Sequence, residues 1–315
     1  MANRTSRPLN NFELVEHFLE NALSININDD EMYNVVSQVV STELNIENFD
    51  ESLISLNSKS YRISKYRKDS ERLSLQKQIV LELLTQERLK NDEDIVLGKG
   101  GAFPLKPVKA ERKAFIVIGL PASGKSGISN IIADEYGAII LDSDYAKRKL
   151  PEFSALPFGA TLVHEESDKI VFGNGNQKSF KSLFDHCIET EANIVLPKIG
   201  SNVESIIKLI EILKKANYFV HLTLIELDRV KATKRALKRF HISKRYVPLG
   251  LIFDTYANNP TTTFYKIITH NNTILDSFGS VSTDVKEGEK PKGIISSGNN
   301  PVDLFMTKIK DEKKK

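Results

Sequence analysis

The sequence predicts an α/β fold, a mostly parallel sheet flanked by helices, preceded by a small all-α N-terminal segment. Three observations carry this. After about residue 112, short β-branched runs alternate with helical stretches. Before it, apolar side chains recur at helical spacing. Between the two lies Leu97-Gly-Lys-Gly-Gly-Ala-Phe-Pro104, followed by Pro107, a concentration of glycine and proline that reads as a linker. The 315 residues suit two domains. The expected division is a helical segment over 1–95, a linker over 96–111, an α/β domain over 112–280 and a polar, lysine-rich tail over 281–315.

In the helical segment, Val15, Phe18, Leu19, Ala22 and Leu23 share one helical face, and Met32, Val35, Val36, Val39 and Val40 follow the capping pair Asp29–Asp30. A third helix, about Asp69 to Leu89, carries Leu73, Val80 and Leu84, and three amphipathic helices suggest a small bundle. The expected strands are Ala114–Ile118, Ala138–Leu141, Ile194–Leu196 and Phe219–Ile225. Thr262–Ile268 and Asn272–Ser277 read as a late strand pair, and Lys308–Lys315 as a frayed end.

The formal net charge of +3 hides a polarity: residues 1–57 sum to −8 and the remainder to +11. The single cysteine, Cys187, excludes an intrachain disulfide and a cysteine-rich zinc module. No apolar run approaches the roughly 20 residues of a membrane span, and Met1 to Asn11 lacks the apolar core of a signal peptide. A cytoplasmic location without membrane or nucleic-acid partners is expected.

The sharpest motif is Gly119-Leu-Pro-Ala-Ser123-Gly124-Lys125-Ser126, which fits the P-loop pattern G-x-x-x-x-G-K-[ST]. Such glycines let backbone N–H groups cradle phosphates. Lys125 then reaches the β- and γ-phosphates of ATP, Ser126 offers its hydroxyl to Mg²⁺, and the helix from about Gly127 adds its positive end. The motif follows a strand and opens a helix, as the chemistry requires. No Asn-Lys-x-Asp guanine motif is present, and the strand Asn193–Pro197 ends in Lys198 rather than in the Asp-Glu of an ATP-driven motor. A small-molecule kinase fits: it needs the loop, a base for the acceptor hydroxyl, and cations for the phosphoryl group.

Ala138-Ile-Ile-Leu-Asp142-Ser-Asp144 sets two carboxylates past a strand's C-terminal end, where open α/β sheets bind ligands. Either can accept the acceptor's proton while the other assists the metal shell, and the plainer alternative is that one caps the next helix. His164-Glu165-Glu166-Ser167 opens another helix, its glutamates serving either the helix dipole or the substrate. From Arg229 to Arg245 eight cations occur without an acid, with Arg235 and Arg239 on one helical face. A solvated face and a nucleic-acid contact are the alternatives to a lid of arginines closing over ATP.

These residues together resemble the zeta toxin family of P-loop kinases. The resemblance is carried by GLPASGKS, by DSD followed by KRKLPEF, by the HEES helix, by NIVLPKIG, and by RALKRF–HISKRYVP, over about residues 112–250. It implies transfer of the ATP γ-phosphate to the 3′-hydroxyl of the sugar of UDP-N-acetylglucosamine, which starves peptidoglycan synthesis. Carried over, Lys125 and Ser126 hold phosphate and Mg²⁺, Asp144 is the base, and Arg239 and Arg245 are the transition-state arginines, with Arg235 the neighbour one turn away. Glu165 or Glu166 contacts the sugar, and Asp142 is a further substrate-side candidate. The stretch Pro197-Lys198-Ile199-Gly200 departs from the family's Glu-Gly-Thr-Gly-like turn, so the acceptor contacts there differ. Family toxins are commonly silenced by a small helical antitoxin. The acidic N-terminal segment is therefore expected to act as a cis inhibitor that packs near the phosphate site or the basic lid and competes with ATP. A kinase for another small-molecule or polynucleotide acceptor, or a nucleotide-sensing module, are the competing functions.

Overall fold

The computed structural model describes residues 7–27, 30–156, 158–173, 179–243, 245–286 and 288–306. One mixed, mostly parallel sheet organises it. Its strands are β1 (Lys113–Ile118), β2 (Ile139–Ile140), β3 (Ile194–Lys198), β4 (Phe219–Glu226), β5 (Ser277–Ser282) and β6 (Lys292–Ser297). They lie in the order β2-β3-β1-β4-β5-β6, and only β6 pairs antiparallel. Ala114 to Ile118 are all buried, as expected of a central parallel strand with helices on both faces.

The helices are α1 (Phe12–His17), α2 (Asp30–Glu47), α3 (Asp69–Thr85), α4 (Lys125–Tyr136), α5 (Ser143–Lys149), α6 (Glu152–Ala155), α7 (Gly159–Leu162), α8 (His164–Phe172), α9 (Leu183–Glu189), α10 (Val203–Lys215), α11 (Arg229–Ser243) and α12 (Asn259–His270). A π-helical turn, Phe18–Ala22, prolongs α1. Helix α4 packs on β1 and β3, and α10 and α12 pack on β4.

The three N-terminal helices do not form a bundle of their own. Val15, Phe18, Leu19, Val36, Val39 and Val40 of the first two share a core with Ala232, Ala236 and Phe240 of α11 and with Leu249 to Tyr256. The edge of the Phe18 ring meets Phe253 at 5.3 Å, and Arg7 bonds Asp254 at 2.7 Å. Leu75, Ile79, Val80 and Leu83 of α3 instead join the core of the sheet. Each large apolar side chain so buried contributes about 1.5–3 kcal/mol, and that gain sends each helix to the apolar face available to it.

The glycine-rich stretch is packed structure rather than a linker. Gly101, Ala102 and Phe103 donate their N–H groups to Glu87, Leu83 and Gln86 at the end of α3, and the Ala102 carbonyl accepts from Ile140 beside β2. A Cβ on Gly101 would lie 1.9 Å from the Gln86 carbonyl oxygen, so only glycine permits the approach.

Thr262–Ile268 lies inside α12, not in a strand. Pro260 starts that helix, and Thr263, Phe264 and Ile267 turn one face inward. Asn272–Ile274 is a single 3₁₀ turn, and Ser277 begins β5. The expected tail continues the sheet: β6 and the turn Pro301–Phe305 cover its edge, with Val302 fully buried. Asp29, Lys308 to Lys315 and Lys244 of the basic run lie outside the described residues.

A buried ion-pair network ties α3 to the elements beyond the sheet. The Arg72 guanidinium is 2% exposed and donates to Glu152 at 2.8 Å and to Glu166 at 2.6 and 2.7 Å, both carboxylates being fully buried. Gln76 and Ser55 also donate to Glu166, and the Ile63 amide donates to Glu152. Burial alone would raise the Glu166 carboxyl, but Arg72, Ser55 and Gln76 hold it below its ordinary value. Arg72→Ala strands two buried carboxylates, so we expect a loss of about 3–5 kcal/mol in urea unfolding at pH 7. A loss below about 1 kcal/mol would mean the network is not a structural tie.

Candidate active site

The site forms at the C-terminal ends of β1 to β4, the edge at which open α/β sheets bind ligands. The chain leaves β1 as Gly119–Ser126 and re-enters helix α4 at Lys125. Gly124 has φ +89°, a left-handed turn that aims the following N–H groups inward. A Cβ on Gly127 would meet nothing within 4 Å, leaving the cradle open on that side. The Ser123 hydroxyl is buried without a partner among the described residues. Lys125 Nζ donates to the carbonyls of Gly119 and Leu120 at 2.8 and 2.7 Å. Desolvation lowers its pKa to about 8, against the pull of Asp142 and Asp144.

Past β2, the two aspartates part roles. Asp142 caps α5, its carboxylate accepting from the Asp144 amide at 2.9 Å. Burial and the neighbouring charge of Asp144 raise its pKa. Asp144 is one-third exposed, accepts from Lys147 at 3.0 Å and pairs with Arg245. Burial opposes its charge, but Lys147 and Arg245 overcome this and hold Asp144 ionised far below the usual range.

The arginines also separate. Arg245 bridges Asp144 and Glu93, the latter at 3.3 Å; burial works against its charge, but these carboxylates raise its pKa. Arg239 lies beside it, its buried Nε unpartnered among the described residues. Burial, then repulsion from Arg245, bring Arg239 down to about 10. Arg235 stands elsewhere: it donates to the Thr283 carbonyl at 2.8 Å, and Thr283 Oγ1 donates to the Ser123 carbonyl at 2.7 Å. Through Thr283 it is linked to the phosphate loop.

Two cavities flank this centre. One of about 610 Å³ opens beside Gly124, Gly127 and Ile131, under Arg235, Lys238 and Thr283. The other, about 1470 Å³, is lined by Lys147, Arg148, Glu165, Arg245 and Tyr246, and by residues of α2. Asp144, Arg239 and Arg245 act electrostatically on Lys125; Arg245 lines the larger cavity, and Gly124 of the phosphate loop lines the smaller. Glu165 lines the larger cavity, whereas Glu166 belongs to the buried Arg72 network and is closed to any substrate. Lys198, at the departing turn, sits 3.5 Å above the Phe172 ring, and burial lowers its pKa despite Asp168 and Asp142.

The expected list of site residues omitted Asp92 and Glu93. Both lie on a 3₁₀ turn, Asp92–Asp94, ahead of β1. Asp92 hydrogen-bonds Tyr145 at 3.1 Å and the Ser126 hydroxyl. Glu93 accepts from Arg148 at 2.6 Å as well as from Arg245. Their signal in the sequence was an acidic run, Asp92-Glu-Asp94, set just ahead of a basic domain. Among the described residues no cluster of three or more His, Cys, Asp or Glu could hold a metal unaided. Ser126 with Asp92 beside it offers the sparse oxygen set that suits Mg²⁺, which takes most of its ligands from water and phosphate.

No helix among the described residues is long and apolar enough to cross a membrane. A search of curated proteins found no match. Among solved structures, the chain is similar to one from the PezAT chromosomal toxin–antitoxin system of Streptococcus pneumoniae. The two share 16% identity with a TM-score of 0.50, over 76% of this chain and 87% of that one. It is also similar to the AvrRxo1-ORF1:-ORF2 structure with ATP, at 19% identity and a TM-score of 0.45, over 75% of this chain and 71% of that one. The zeta toxin family profile matches residues 103–274, more than half of the sequence. With its P-loop kinase-like fold and that match, the chain belongs to the zeta toxin family.

Proposed function

We propose that this protein is an ATP-dependent kinase that phosphorylates a sugar hydroxyl of a nucleotide sugar, with the 3′-hydroxyl of UDP-N-acetylglucosamine as the acceptor implied by the family and a block in peptidoglycan synthesis as its consequence. The observation that carries the reading is the convergence of Asp144, Arg239 and Arg245 on Lys125 of the phosphate loop, with Arg245 at the wall of the larger cavity. A sensing module needs neither the aspartate nor the paired arginines. ATP takes the 610 Å³ side, its phosphates on the loop amides and Lys125. Ser126, with Asp92 beside it, would hold Mg²⁺, which when bound would supply charge neutralisation for the phosphoryl group. The acceptor takes the 1470 Å³ side, a volume above the usual 300–1,000 Å³ of ligand sites and ample for a nucleotide sugar. There Lys147 and Arg148 suit a diphosphate, and Phe153 and Phe158 suit a ring.

Asp144 accepts the proton of the attacking hydroxyl. Its pairing with Lys147 and Arg245 keeps it ionised but weakly basic. A phosphoryl group that draws Arg245 toward itself weakens that pairing and makes Asp144 a stronger base as the transferring phosphoryl arrives. Arg239, with an unpartnered buried Nε, is free to donate to the same group.

A second reading concerns restraint. The acidic helices pack on the basic helix α11, as expected of a cis inhibitor, but beside the larger cavity. The same apolar cluster takes in Leu120 and packs against Ala122 of the phosphate loop, so these helices adjoin the loop as well as α11, although none of their described residues lines the smaller cavity. Glu93 supplies a different means: its carboxylate holds Arg148 and Arg245 as a phosphate would. We place the inhibitory contact there. Removing residues 1–90 is a poor test, because it also deletes Arg72 and α3 from the core.

Three outcomes are expected. With purified protein, ATP, Mg²⁺ and UDP-N-acetylglucosamine, Asp144→Asn lowers kcat by about 10²–10⁴ and leaves the ATP Kd within about twofold. Full turnover of this variant would remove Asp144 from the mechanism. Glu93→Gln weakens the hold on Arg148 and leaves Arg245 paired with Asp144 alone, and raises turnover about tenfold, a change of about 1.4 kcal/mol. Unchanged or lower turnover would rule out Glu93 as the restraint. For pH, the Lys125 ammonium is charged below its value of about 8 and neutral above it. ATP affinity measured by calorimetry should be flat below about pH 7 and fall as pH rises through 8, and Lys125→Ala should abolish that dependence. An affinity that rises above pH 8 would contradict the assignment.

A further inference from the structure

The 1470 Å³ cavity has a wall that lies outside the family's own stretch of 103–274. Ser37, Gln38, Ser41 and Thr42 of α2 line it, facing Lys147, Arg148, His164 and Glu165. Their spacing, i, i+1, i+4 and i+5, is a single stripe along the helix. Serine and threonine are poor choices in a helix interior, because their hydroxyls compete for the backbone. Local structure does not account for Ser37 and Ser41, which are exposed and sit in the middle of an 18-residue helix.

The stripe is also held firmly. On the neighbouring face, Val36, Val39 and Val40 are buried against α11 and the chain after it. Glu43, 7% exposed, accepts a hydrogen bond of 2.5 Å from the Tyr246 hydroxyl. Tyr246 follows Arg245 directly, so the contact that fixes α2 also fixes the segment carrying the arginine bound to Asp144. A polar wall held this way is rigid enough to select a ligand.

We propose that α2 completes the acceptor pocket, and that the Ser37–Thr42 stripe recognises the polar end of a nucleotide-sugar acceptor distal to the reacting hydroxyl. The N-terminal segment is then part of the substrate site. This deepens the kinase reading and rests on it. The stripe supplies the Ser37 and Ser41 hydroxyls one turn apart, roughly 6 Å, while the Thr42 hydroxyl donates to the Gln38 carbonyl at 2.7 Å and can only accept from a ligand. Such a row suits a ligand with several hydrogen-bonding groups; water can satisfy the exposed hydroxyls in its absence, so the selectivity it gives is modest.

The test uses the whole chain and the double substitution Ser37→Leu with Ser41→Leu. Leucine is the better helix former, so α2 is not weakened, and thermal unfolding checks this. Binding of UDP-N-acetylglucosamine and of ATP is followed by calorimetry, and turnover by mass of the product. The expected result is a KM and Kd for the nucleotide sugar at least tenfold higher, with the ATP Kd and the melting temperature unchanged. Ser41→Thr, which keeps a hydroxyl, should lie within about threefold of wild type. If the double variant binds and phosphorylates the sugar as wild type does, the wall is overturned while the kinase reading stands. If wild type neither binds nor phosphorylates any UDP-sugar, the nucleotide-sugar reading falls and the wall falls with it. A lowered melting temperature with an equal loss of ATP binding also overturns the proposal, since α2 would then serve stability alone.

Discussion

Arg72 joins two parts of the chain that composition separates. It sits where water does not reach, between Glu152 and Glu166. One cation against two carboxylates is tolerable only because Ser55, Gln76 and the Ile63 amide donate as well. Helices α6 and α8, which carry those glutamates, also shape the larger cavity through Phe153, His164 and Glu165. A side chain of α3, ahead of the phosphate loop, is therefore tied to the helices that line the larger cavity. The catalytic unit is not a kinase with an accessory in front; it is a kinase whose frame begins well before its phosphate loop.

The same logic governs the reacting centre. The strands β1, β2 and β4 lead to a lysine, an aspartate and two arginines that come to one place, with Lys125 held by carbonyls and Asp144 and Arg245 held by partners of opposite charge. Such a site is preorganised at little cost, because the carboxylates offset the desolvation of the cations. Glu93 and Asp92 take part from a short turn next to the glycine-rich stretch, and they make the stretch a structural part of the site.

Much of this was legible in the residues. The P-loop, the strand before it and the helix after it follow from Gly119–Ser126, because glycines and a lysine at that spacing have one chemical use. The four main strands were visible as β-branched runs, and of the two aspartates, one of which was read as a possible cap, the backbone makes it Asp142. The misreadings share a physical cause: they needed tertiary partners. Thr262–Ile268 is rich enough in threonine and isoleucine to suggest a strand, and only packing on β4 makes it helix α12. Gly100 and Gly101 suggested a flexible joint, yet the buried backbone beside Gln86 demands them. Glu165 and Glu166 are indistinguishable in sequence, and one lines a cavity while the other is bound to an arginine 94 residues away. The charge split at residue 57 pointed to the N-terminal helices, whereas the acidic residue that meets the arginines is Glu93.

The apolar cluster beneath α1 and α2 has a consequence for the order in which the molecule is built. Arg7 bonds Asp254 across 247 residues, and the valines of α2 share a core with α1, with Leu120 and with residues 232 to 256. During synthesis the first helices emerge early and part of their apolar stripe waits for nearly the whole chain. The closing contact is thus of very long range and forms late. A ribosome that stops short of about residue 256 leaves Val36, Val39 and Val40 only partly covered and Arg245 without the segment that anchors Tyr246 to Glu43. Competence arrives only with a nearly finished polypeptide, and an interrupted one presents a sticky helix instead of a working enzyme.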